Sequence, residues 1–343
     1  MMSKIVFLAD FIPGEYFMYD DEMQEIFGRL GPDVNIVYHQ DSAMSEMENP
    51  MTYIGRAENE GVEWIVPSQE TLDLLADADA VLLQWAPFNR KMIDAAKNLK
   101  FIGSMRSGFE NIDVAYAEQK GITVRNCPGR LASSVADLTV AMILSENKGL
   151  LRINLRSTDG KWLSDMSDSP SRRPLCMLKA GLVGFGIIAR EVAKRLQGFS
   201  TEVMAYDPFC ADEEFEKMGV QRVDLDTLLT KSDIISVHAR LSDETRGLIG
   251  EKEIAKIKPS AIFINSARAG LVDEKALVKA MEEKRLAGIG LDVYESEPIE
   301  EDFPLLKMDN ATLMPHCGGA FSSVMQFSLS LIVETLRQFL NAK

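Results

Sequence analysis

The chain has 343 residues, 46% of them hydrophobic and 26% charged, a balance typical of globular proteins and a length that favours two cores over one. Against 52 acidic residues stand 37 lysines and arginines, and the net charge of −15 argues against nucleic acid and anionic membranes as partners. No apolar run approaches the roughly 18 residues of a membrane span, and the first one predicts a β-strand rather than a signal peptide. The four cysteines contain no C-x-x-C pair, so we expect free thiols and a reducing cytoplasm.

Residues 1–106 predict a small α/β unit with a parallel sheet, because strand and helix patterns alternate along it. No glycine-rich phosphate loop follows its first strand, so this unit is not expected to bind a nucleotide. The predicted strands are 4–9, 35–38, 63–66, 80–84 and 101–104, with helical patterns at 20–30 and 69–76.

A turn-rich segment and a long helix follow. The helix is predicted from about Ser133 to Asn147, with Ser133 or Ser134 as its cap, and its apolar stripe favours a place in the core. Residues 152–175 are polar and irregular. A loop of that length is unusual in a compact domain, so the segment is either an arm on a partner subunit or an exposed loop.

The stretch 178–208 has the order strand, glycine turn, helix, strand and acid. Gly184 permits the tight turn, Gly186 lets a pyrophosphate approach the backbone, and Ala189 stands where close helix–strand packing tolerates a methyl group. The helix N-terminus offers free N–H groups to the phosphates. Asp207 can accept hydrogen bonds from ribose hydroxyls and would repel a 2′-phosphate, so the stretch predicts NAD rather than NADP.

Four later predicted strands lead into polar residues. Because the carboxyl ends of parallel strands form the ligand-binding edge of an open sheet, these residues are expected on the cofactor's side. A final helix, about 323–340, has no strand after it and is predicted to pack on the first domain. The four strands are 234–237, 261–265, 286–291 and 312–314, and the residues after them include His238, Arg268, Asp292 and His316.

Eight short motifs stand in order between residues 108 and 320: GFENIDV (108–114), NCPG (126–129), GLVGFGIIAREVAKRL (181–196), YDP (206–208), VHARLSDETRGLI (237–249), INSARAGLVDEKAL (264–277), GIGLDVYESEP (288–298) and PHCGGA (315–320). Together they resemble the D-isomer-specific 2-hydroxyacid dehydrogenases, a family that includes D-lactate, glyoxylate/hydroxypyruvate and 3-phosphoglycerate dehydrogenases. The resemblance covers nearly the whole chain. It implies NAD-dependent interconversion of a small D-2-hydroxy acid and its 2-oxo acid by hydride transfer.

The resemblance also implies an α/β architecture of two domains. A Rossmann NAD-binding domain would span 107–317. A smaller flavodoxin-like substrate-binding (lid) domain would comprise 1–106 and 318–343, completed by the C-terminal helix. A homodimer is implied through the helix after Ser133 and the arm 152–175.

The family's catalytic residues fall on Arg268, Glu297 and His316, whose chemistry suits those roles. Arg268 would hold the substrate carboxylate with a planar fork and polarise the ketone. His316 would protonate the developing alkoxide as general acid and act as base in reverse. Glu297 would orient the imidazole. The remaining histidines, His39 and His238, are expected to be a surface residue and a structural residue.

Further site positions follow from the same resemblance. Ser107 and Gly108 would turn backbone N–H groups toward the substrate carboxylate. Asp292 would accept a hydrogen bond from the nicotinamide carboxamide. No metal site is expected. Besides Gly184, Gly186 and Asp207, the implied cofactor contacts are Ile187, Ile188, Ser266, Asp292 and Gly319.

The sequence departs from the family pattern in ways that leave alternatives open. Arg240 stands where many relatives have proline, near the expected adenine pocket, and either stacks on adenine or weakens the preference for NAD. Trp85 follows strand 80–84 where an arginine-rich loop would suit a phosphorylated substrate, and too few residues follow His316 for a regulatory domain. A 3-phosphoglycerate dehydrogenase without that domain is one alternative. An NAD(H)-sensing corepressor-like binding protein is another, disfavoured by the retained catalytic residues.

Overall fold

The computed structural model describes residues 3–10, 20–42, 60–158 and 173–342, together with residues 53, 56 and 57. The chain forms two compact units by its internal contacts. The first unit is Met1–Arg130 with Ser322–Lys343, and the second is Leu131–Phe321. Among the described residues, no helix is both long and apolar enough to cross a membrane.

The first unit is built on a five-stranded parallel sheet in the order β2-β1-β3-β4-β5. This is the flavodoxin-like strand order predicted for the smaller domain. Its strands are β1 (Ser3–Ala9), β2 (Val34–Gln40), β3 (Ala80–Leu83), β4 (Phe101–Ser104) and β5 (Thr123–Arg125), and its helices are α1 (Asp21–Gly28), α2 (Gln69–Leu75), α3 (Arg90–Ala95) and α4 (Val114–Gln119).

Short polar residues start these helices. Asp20, Ser68, Asn89 and Asp113 each accept a hydrogen bond from the backbone N–H three residues on, which satisfies one of the free donors of the first turn. The helices then bury apolar faces on both sides of the sheet.

The last helix of the chain completes one face of the first unit. Its buried residues pack with those of β1, β4 and α1 in one cluster. Leu329, Ile332 and Leu336 are fully buried there. Because these side chains fill the core of the first sheet, the C-terminal helix belongs to the first unit, as the sequence predicts. This helix spans Val324–Asn341 and is α12 in the numbering completed below.

Two sequence expectations differ from the structure of the first unit. Residues 63–64 form a turn and residues 65–66 have no regular structure, so the predicted strand is absent, and Ile65 is buried beside Tyr53. The first boundary between the units lies after Arg130 rather than after residue 106, because β5 pairs with β4 and Ile112 packs in the core of the first unit. The second boundary lies after Phe321 rather than after residue 317.

The second unit carries a seven-stranded parallel sheet in the order β12-β11-β10-β9-β6-β7-β8. Its strands are β6 (Lys179–Val183), β7 (Glu202–Tyr206), β8 (Gln221–Arg222), β9 (Ile234–Val237), β10 (Ile262–Asn265), β11 (Gly288–Leu291) and β12 (Ala311–Leu313). Its helices are α5 (Ala132–Lys148), α6 (Leu150–Thr158), α7 (Ile187–Gly198), α8 (Asp212–Met218), α9 (Leu225–Lys231), α10 (Glu251–Ile254) and α11 (Glu274–Glu282).

The strand order of this sheet reverses between β6 and β9. One half of the chain winds outward through β7 and β8, and the other through β10, β11 and β12. Ligands of open α/β sheets bind outside the carboxyl ends of the strands at such a switch point. The turn after β6 therefore lies at the place where a dinucleotide is expected.

Two expectations for the first residues of the second unit differ from the structure. The long helix α5 begins at Ala132 after Leu131, and neither Ser133 nor Ser134 caps it. Residues 150–158 are helical, so the first part of the segment expected to be irregular forms α6. Residues 159–172 of the expected arm lie outside the described residues, and its last residue, Leu175, is buried at the start of a short 3₁₀ helix.

Candidate active site

The glycine turn between β6 and α7 has the geometry that a pyrophosphate requires. Gly184 has φ +93°, and a Cβ there would lie 2.5 Å from the backbone nitrogen of Ala239, so only glycine fits. A Cβ on Gly186, in contrast, would meet no atom of the chain within 4 Å. Gly186 precedes the first residue of α7 and has no side chain to cap it. The first N–H groups of that helix thus have no side-chain cap, and the space beside Gly186 is open to an anion.

Asp207 lies at the carboxyl end of β7 and is bonded to the glycine turn. Its Oδ2 accepts from the backbone N–H of Phe185 at 2.8 Å. Its Oδ1 accepts from the backbone N–H groups of Phe209 at 2.9 Å and Cys210 at 3.1 Å. A carboxylate offers about four lone-pair positions, so one stays available to a ribose hydroxyl.

A pocket opens beside this carboxylate, in the second unit. One wall carries the guanidinium of Arg222, whose Nη2 donates to the carbonyl oxygen of Asp207 at 3.0 Å. Arg240, the residue that departs from the family pattern, is exposed in the loop after β9 and does not line this pocket. The lining residues are Tyr206, Asp207, Pro208, Arg222, Val223, Asp224 and Thr227.

His316 and Glu297 form a hydrogen-bonded pair at the ends of β12 and β11. The imidazole Nδ1 lies 2.7 Å from Glu297 Oε2, and the other carboxylate oxygen accepts from the backbone N–H of Tyr294 at 3.0 Å. The two side chains are 47% and 36% exposed. Since Nδ1 is directed at a carboxylate, Nδ1 carries the proton and Nε2 points away, available to a ligand.

The backbone of His316 adopts a conformation that a non-glycine residue rarely takes. Its φ is +51°, in the left-handed region. Three consecutive N–H groups hold the turn: that of His316 donates to the Met314 carbonyl at 3.0 Å, and those of Cys317 and Gly318 donate to Oδ1 and Oδ2 of Asp292, both at 2.8 Å. Such strain persists only where the surroundings over-determine it, and it clusters at functional sites.

Asp292 is thus first of all a structural carboxylate. It is 2% exposed and has one backbone bond at each oxygen. Its expected contact with the nicotinamide carboxamide would use one of the remaining lone pairs. The same turn carries Gly319, where a Cβ would lie 2.7 Å from the Leu131 side chain.

Arg268 lies at the carboxyl end of β10 and is exposed. Its Nη1 donates to the carbonyl of the preceding residue, Ala267, at 2.7 Å. Asn265 braces this loop, since its side chain accepts from the Ala267 N–H at 3.0 Å and donates to the Arg268 carbonyl at 3.1 Å. Among the described carboxylates, none forms an ion pair with Arg268, so the guanidinium keeps its capacity for an anionic ligand.

Ser266, between Asn265 and Arg268, is buried against α5. Its Oγ lies 2.8 Å from Oγ1 of Thr139, which itself donates to the Val135 carbonyl at 2.7 Å. The Thr139 proton is therefore committed, and the Ser266 hydroxyl is the donor of the pair. Ile187, at the start of α7, is 46% exposed, and Ile188 is half-buried.

Ser107 and Gly108 lie in the first unit, after β4. The Ser107 hydroxyl donates to the Cys127 carbonyl at 3.1 Å. The carboxylate of Glu110 lies over Gly108, so close that a Cβ there would overlap it. Glu110 in turn pairs with Arg106 at 3.4 Å, and the Arg106 guanidinium stacks 3.0 Å from the centroid of the Trp85 ring. The two predicted substrate contacts thus lie in a charged loop.

The other two histidines have separate surroundings. His238 follows β9, and its Nε2 lies 2.8 Å from the Ser236 hydroxyl. Burial lowers the pKa of His238 to about 4, so this imidazole stays neutral at ordinary pH. His39 lies in the first unit at the end of β2, and its Nε2 is 2.6 Å from Thr71 Oγ1.

Sequence reasoning missed two residues that shape the site, Tyr294 and Thr139. Tyr294 bonds the segments that carry Glu297 and His316, and Thr139 accepts from Ser266. The position of Tyr294 three residues before Glu297 was a signal for the first contact. Thr139 had none, because its partner lies far away in sequence. Among the described residues, no cluster of histidine, cysteine or carboxylate side chains could hold a metal ion.

Comparison with known proteins gives consistent results. Residues 140–318 match the family described as D-isomer specific 2-hydroxyacid dehydrogenase, NAD binding domain. The chain is 40% identical over 243 residues to a D-3-phosphoglycerate dehydrogenase of Archaeoglobus fulgidus, covering 71% of this chain and 45% of that protein. It is 35% identical over 283 residues to a glyoxylate reductase of Korarchaeum cryptofilum, covering 80% of this chain and 83% of that protein.

A solved structure extends the likeness to the whole fold. The NAD-complexed D-isomer specific 2-hydroxyacid dehydrogenase from Lactobacillus delbrueckii superposes with a TM-score of 0.75 at 25% identity, covering 99% of this chain and 97% of that one. The chain therefore belongs to the D-isomer specific 2-hydroxyacid dehydrogenase family. The predicted fold class, the use of NAD and the class of NAD-dependent oxidoreductase are confirmed.

Proposed function

We propose that the protein reduces a small 2-oxo acid to the D-2-hydroxy acid with NADH, and runs the reverse reaction with NAD. The observation that carries this proposal is the pair His316–Glu297, with 2.7 Å between Nδ1 and Oε2 and with Nε2 left to a ligand. A binding protein that only senses the dinucleotide needs no such proton-transfer pair. An oxidoreductase acting on a hydroxyl group does.

The proton path rests on this pair. When bound, NADH supplies the hydride that the carbonyl carbon receives. His316 holds a proton at Nε2 and transfers it to the substrate oxygen as charge develops there. Glu297 accepts the Nδ1–H, which fixes the ring orientation and stabilises the imidazolium before the transfer. In the oxidation direction, neutral Nε2 removes the hydroxyl proton.

Arg268 binds the acid in this proposal. Its guanidinium carries a fixed charge and a planar set of donors, which match a carboxylate in two parallel hydrogen bonds. The loop braced by Asn265 sets its position. Ser107 and Gly108 are proposed as further contacts of the substrate carboxylate, through their backbone N–H groups.

The second unit fits the nicotinamide dinucleotide. The open space at Gly186 and the free N–H groups of α7 suit the pyrophosphate, with Ile187 and Ile188 beside it. Asp207 suits the ribose hydroxyls, and its negative charge disfavours a 2′-phosphate. Ser266, Asp292 and Gly319 are the proposed contacts on the nicotinamide side.

The substrate class is proposed as glyoxylate or hydroxypyruvate. The glyoxylate reductase of Korarchaeum cryptofilum is 35% identical to this chain, and residues 85–89, which follow β3, contain no arginine that would suit a phosphorylated substrate. Phosphohydroxypyruvate is therefore the second candidate.

We also propose a homodimer in the cytoplasm. The exposed Leu150 and Leu151 at the start of α6 suit a second copy, and the four cysteines are unpaired.

A substrate panel tests the proposal. NADH oxidation is followed by absorbance with glyoxylate, hydroxypyruvate, pyruvate, a longer 2-oxo acid and phosphohydroxypyruvate, and NADPH serves as the cofactor control. We expect turnover with one of the unphosphorylated acids and a preference for NADH. Binding of NADH without turnover on any acid would contradict the enzyme and favour the dinucleotide-sensing alternative. Turnover on phosphohydroxypyruvate alone would move the substrate to the phosphorylated class.

A further inference from the structure

Tyr294 lies in the segment between Asp292 and Glu297, and its ring is buried. The residue is 7% exposed, and its ring meets Phe303 edge to face, with 5.9 Å between centroids. Burial raises the pKa of Tyr294, so the hydroxyl keeps its proton and acts as a donor. A buried tyrosine hydroxyl normally has a specific partner, and here that partner lies next to the proton donor.

The hydroxyl of Tyr294 joins the ends of two neighbouring strands. Its oxygen lies 2.9 Å from the Met314 carbonyl oxygen and 3.1 Å from that of Leu291. The Met314 carbonyl is also the acceptor for the backbone N–H of His316. The tyrosine hydroxyl and the backbone N–H of His316 therefore share one acceptor, the Met314 carbonyl oxygen.

The backbone of Tyr294 reaches the other member of the pair. Its N–H donates to Glu297 Oε1 at 3.0 Å, while Glu297 Oε2 bonds His316 Nδ1. The carboxylate is thus oriented at one oxygen by Tyr294 and presents the other to the imidazole. Tyr294 is therefore linked to both members of the pair. Its backbone N–H bonds Glu297, and its hydroxyl bonds the carbonyl that accepts from His316.

We propose that Tyr294 is a positioning residue for the His316–Glu297 pair, holding the carbonyl of Met314 and the carboxylate of Glu297 at a fixed separation. This rests on the proposed function, because it assigns the pair to proton transfer. The hydroxyl donates to main-chain carbonyls and acts on the turn that orients Nε2, so its role is to position the imidazole. Misplacement of a catalytic group by about 1 Å can cost about a hundredfold in rate.

Removing the hydroxyl alone should leave the fold intact. The Met314 carbonyl keeps its bond from His316, and the Leu291 carbonyl keeps its bond from the Met314 N–H at 2.8 Å. Neither carbonyl is left without a donor, which is the costly case for buried groups. The variant Tyr294→Phe therefore isolates the positioning effect from general destabilisation.

The first test is the kinetics of Tyr294→Phe. We expect kcat to fall about ten- to a hundredfold, with the Kd for NADH and the thermal midpoint close to those of the wild type. The matched control is Tyr116→Phe in the first unit, whose hydroxyl bonds Asp94 at 2.9 Å and which should leave kcat unchanged. A kcat for Tyr294→Phe within twofold of the wild type, in folded protein, would overturn the proposal.

The second test does not depend on turnover. The protein has three histidines, so its imidazole N–H signals can be assigned by NMR with His316→Asn. In the wild type, the Nδ1 proton shared with Glu297 should appear downfield and exchange slowly, and the His316 amide should be protected. In Tyr294→Phe the Nδ1 signal should broaden or move upfield. An unchanged signal would contradict the positioning role. A fast-exchanging His316 amide in the wild type would do the same even if the variant fails to fold.

The two tests separate this proposal from the proposed function. If no 2-oxo acid is reduced by the wild type but the NMR signature depends on Tyr294, the geometry holds and the activity is misassigned. If turnover is present and neither kcat nor the signature responds to Tyr294→Phe, the activity stands and the positioning role fails.

Discussion

Asp207 Oδ2 accepts a hydrogen bond from the Phe185 backbone N–H at 2.8 Å, which joins the acid at the end of β7 to the glycine turn at the end of β6. The same carboxylate holds two more N–H groups in the loop after it. The residue proposed to bind the ribose therefore also fixes the turn proposed to receive the phosphates.

We predict that Asp207→Ala lowers stability as well as NADH affinity. Three backbone donors lose their acceptor, and Phe185 is fully buried, so the free energy of unfolding without cofactor should fall by about 1–3 kcal/mol. Urea denaturation measures it. The control Asp212→Ala removes an exposed partner of Arg222 and should cost less than about 1 kcal/mol. Equal stability of both variants would show that Asp207 does not brace the turn.

Gly186→Ala should separate binding from folding. A Cβ there meets no protein atom within 4 Å, so the thermal midpoint of the free protein should hardly change. The methyl group would occupy the space of the pyrophosphate, and the Kd for NADH should rise about tenfold or more, the scale of one lost charge-assisted hydrogen bond.

The contrasting variant is Gly184→Ala. Its φ of +93° and the approach to Ala239 make it destabilising without any ligand. NADH titrations and melting curves of both variants decide the matter. Unaltered NADH affinity in Gly186→Ala would place the phosphates elsewhere.

His316→Asn should leave NADH binding intact and lower kcat about 10²- to 10⁴-fold, the contribution of general acid catalysis. Asparagine is chosen because it tolerates the left-handed backbone that residue 316 adopts at φ +51°. The turn should therefore survive the substitution. His39→Asn, in the first unit, is the matched control. Steady-state kinetics with a fluorescence titration of NADH measure both effects, and an unaltered kcat would exclude His316 as proton donor.

Arg268→Lys should impair use of the acid while sparing the cofactor. Lysine keeps the charge but loses the second parallel hydrogen bond, worth about 1.5–3 kcal/mol when charged, or about 10- to 150-fold in kcat/KM. Arg285→Lys is the control, because that partly exposed arginine donates only to the Ala255 carbonyl, at 3.0 Å, among the described residues. A parallel loss of NADH binding in Arg268→Lys would indicate misfolding instead.

Glu146 should make stability depend on pH. Burial on α5 raises its pKa from 4.5 to about 7, against the lowering effects of the Thr312 hydroxyl bond and Arg152 and with a further raising effect of Asp309. The folded state then holds a proton that the unfolded state has released between about pH 4.5 and 7, so stability falls as pH rises through that window.

Relative to Glu146→Gln, the wild type should lose about 2–3 kcal/mol of unfolding free energy between about pH 5 and 8. Urea denaturation of both proteins at the two pH values measures the difference. A difference between the proteins that stays constant across the window would contradict this assignment.

Much of this architecture could be read from sequence because it depends on local patterns. The glycine turn, the acid 18 residues after Ala189 and the polar residues after each strand all follow from periodicity and backbone requirements. Glu297 and His316 came from the family resemblance, and the structure brings them together at 2.7 Å.

What the sequence could not supply depends on contacts between distant segments. The boundary at Arg130 follows from the pairing of β5 with β4, and no local sequence pattern predicts that pairing. The roles of Asp292 and Tyr294 depend on hydrogen bonds to backbone groups of residues 314–318. Every residue type has a backbone carbonyl and nearly every one an N–H, so the sequence does not predict such bonds. Segment 63–66 has the apolar residues of a strand, yet Ile65 is buried without strand pairing and Val66 is 72% exposed.

The return of α12 to the first sheet has a consequence for synthesis on the ribosome. The first 130 residues leave the ribosome well before α12, yet the sheet face that Leu329 and Ile332 cover stays open until that helix arrives. The second unit, whose residues are contiguous in the chain, can close its core while the first still exposes apolar side chains. The first unit therefore starts to leave the ribosome before the second but closes its core after it. Its exposed apolar side chains are the ones that need protection from aggregation during synthesis.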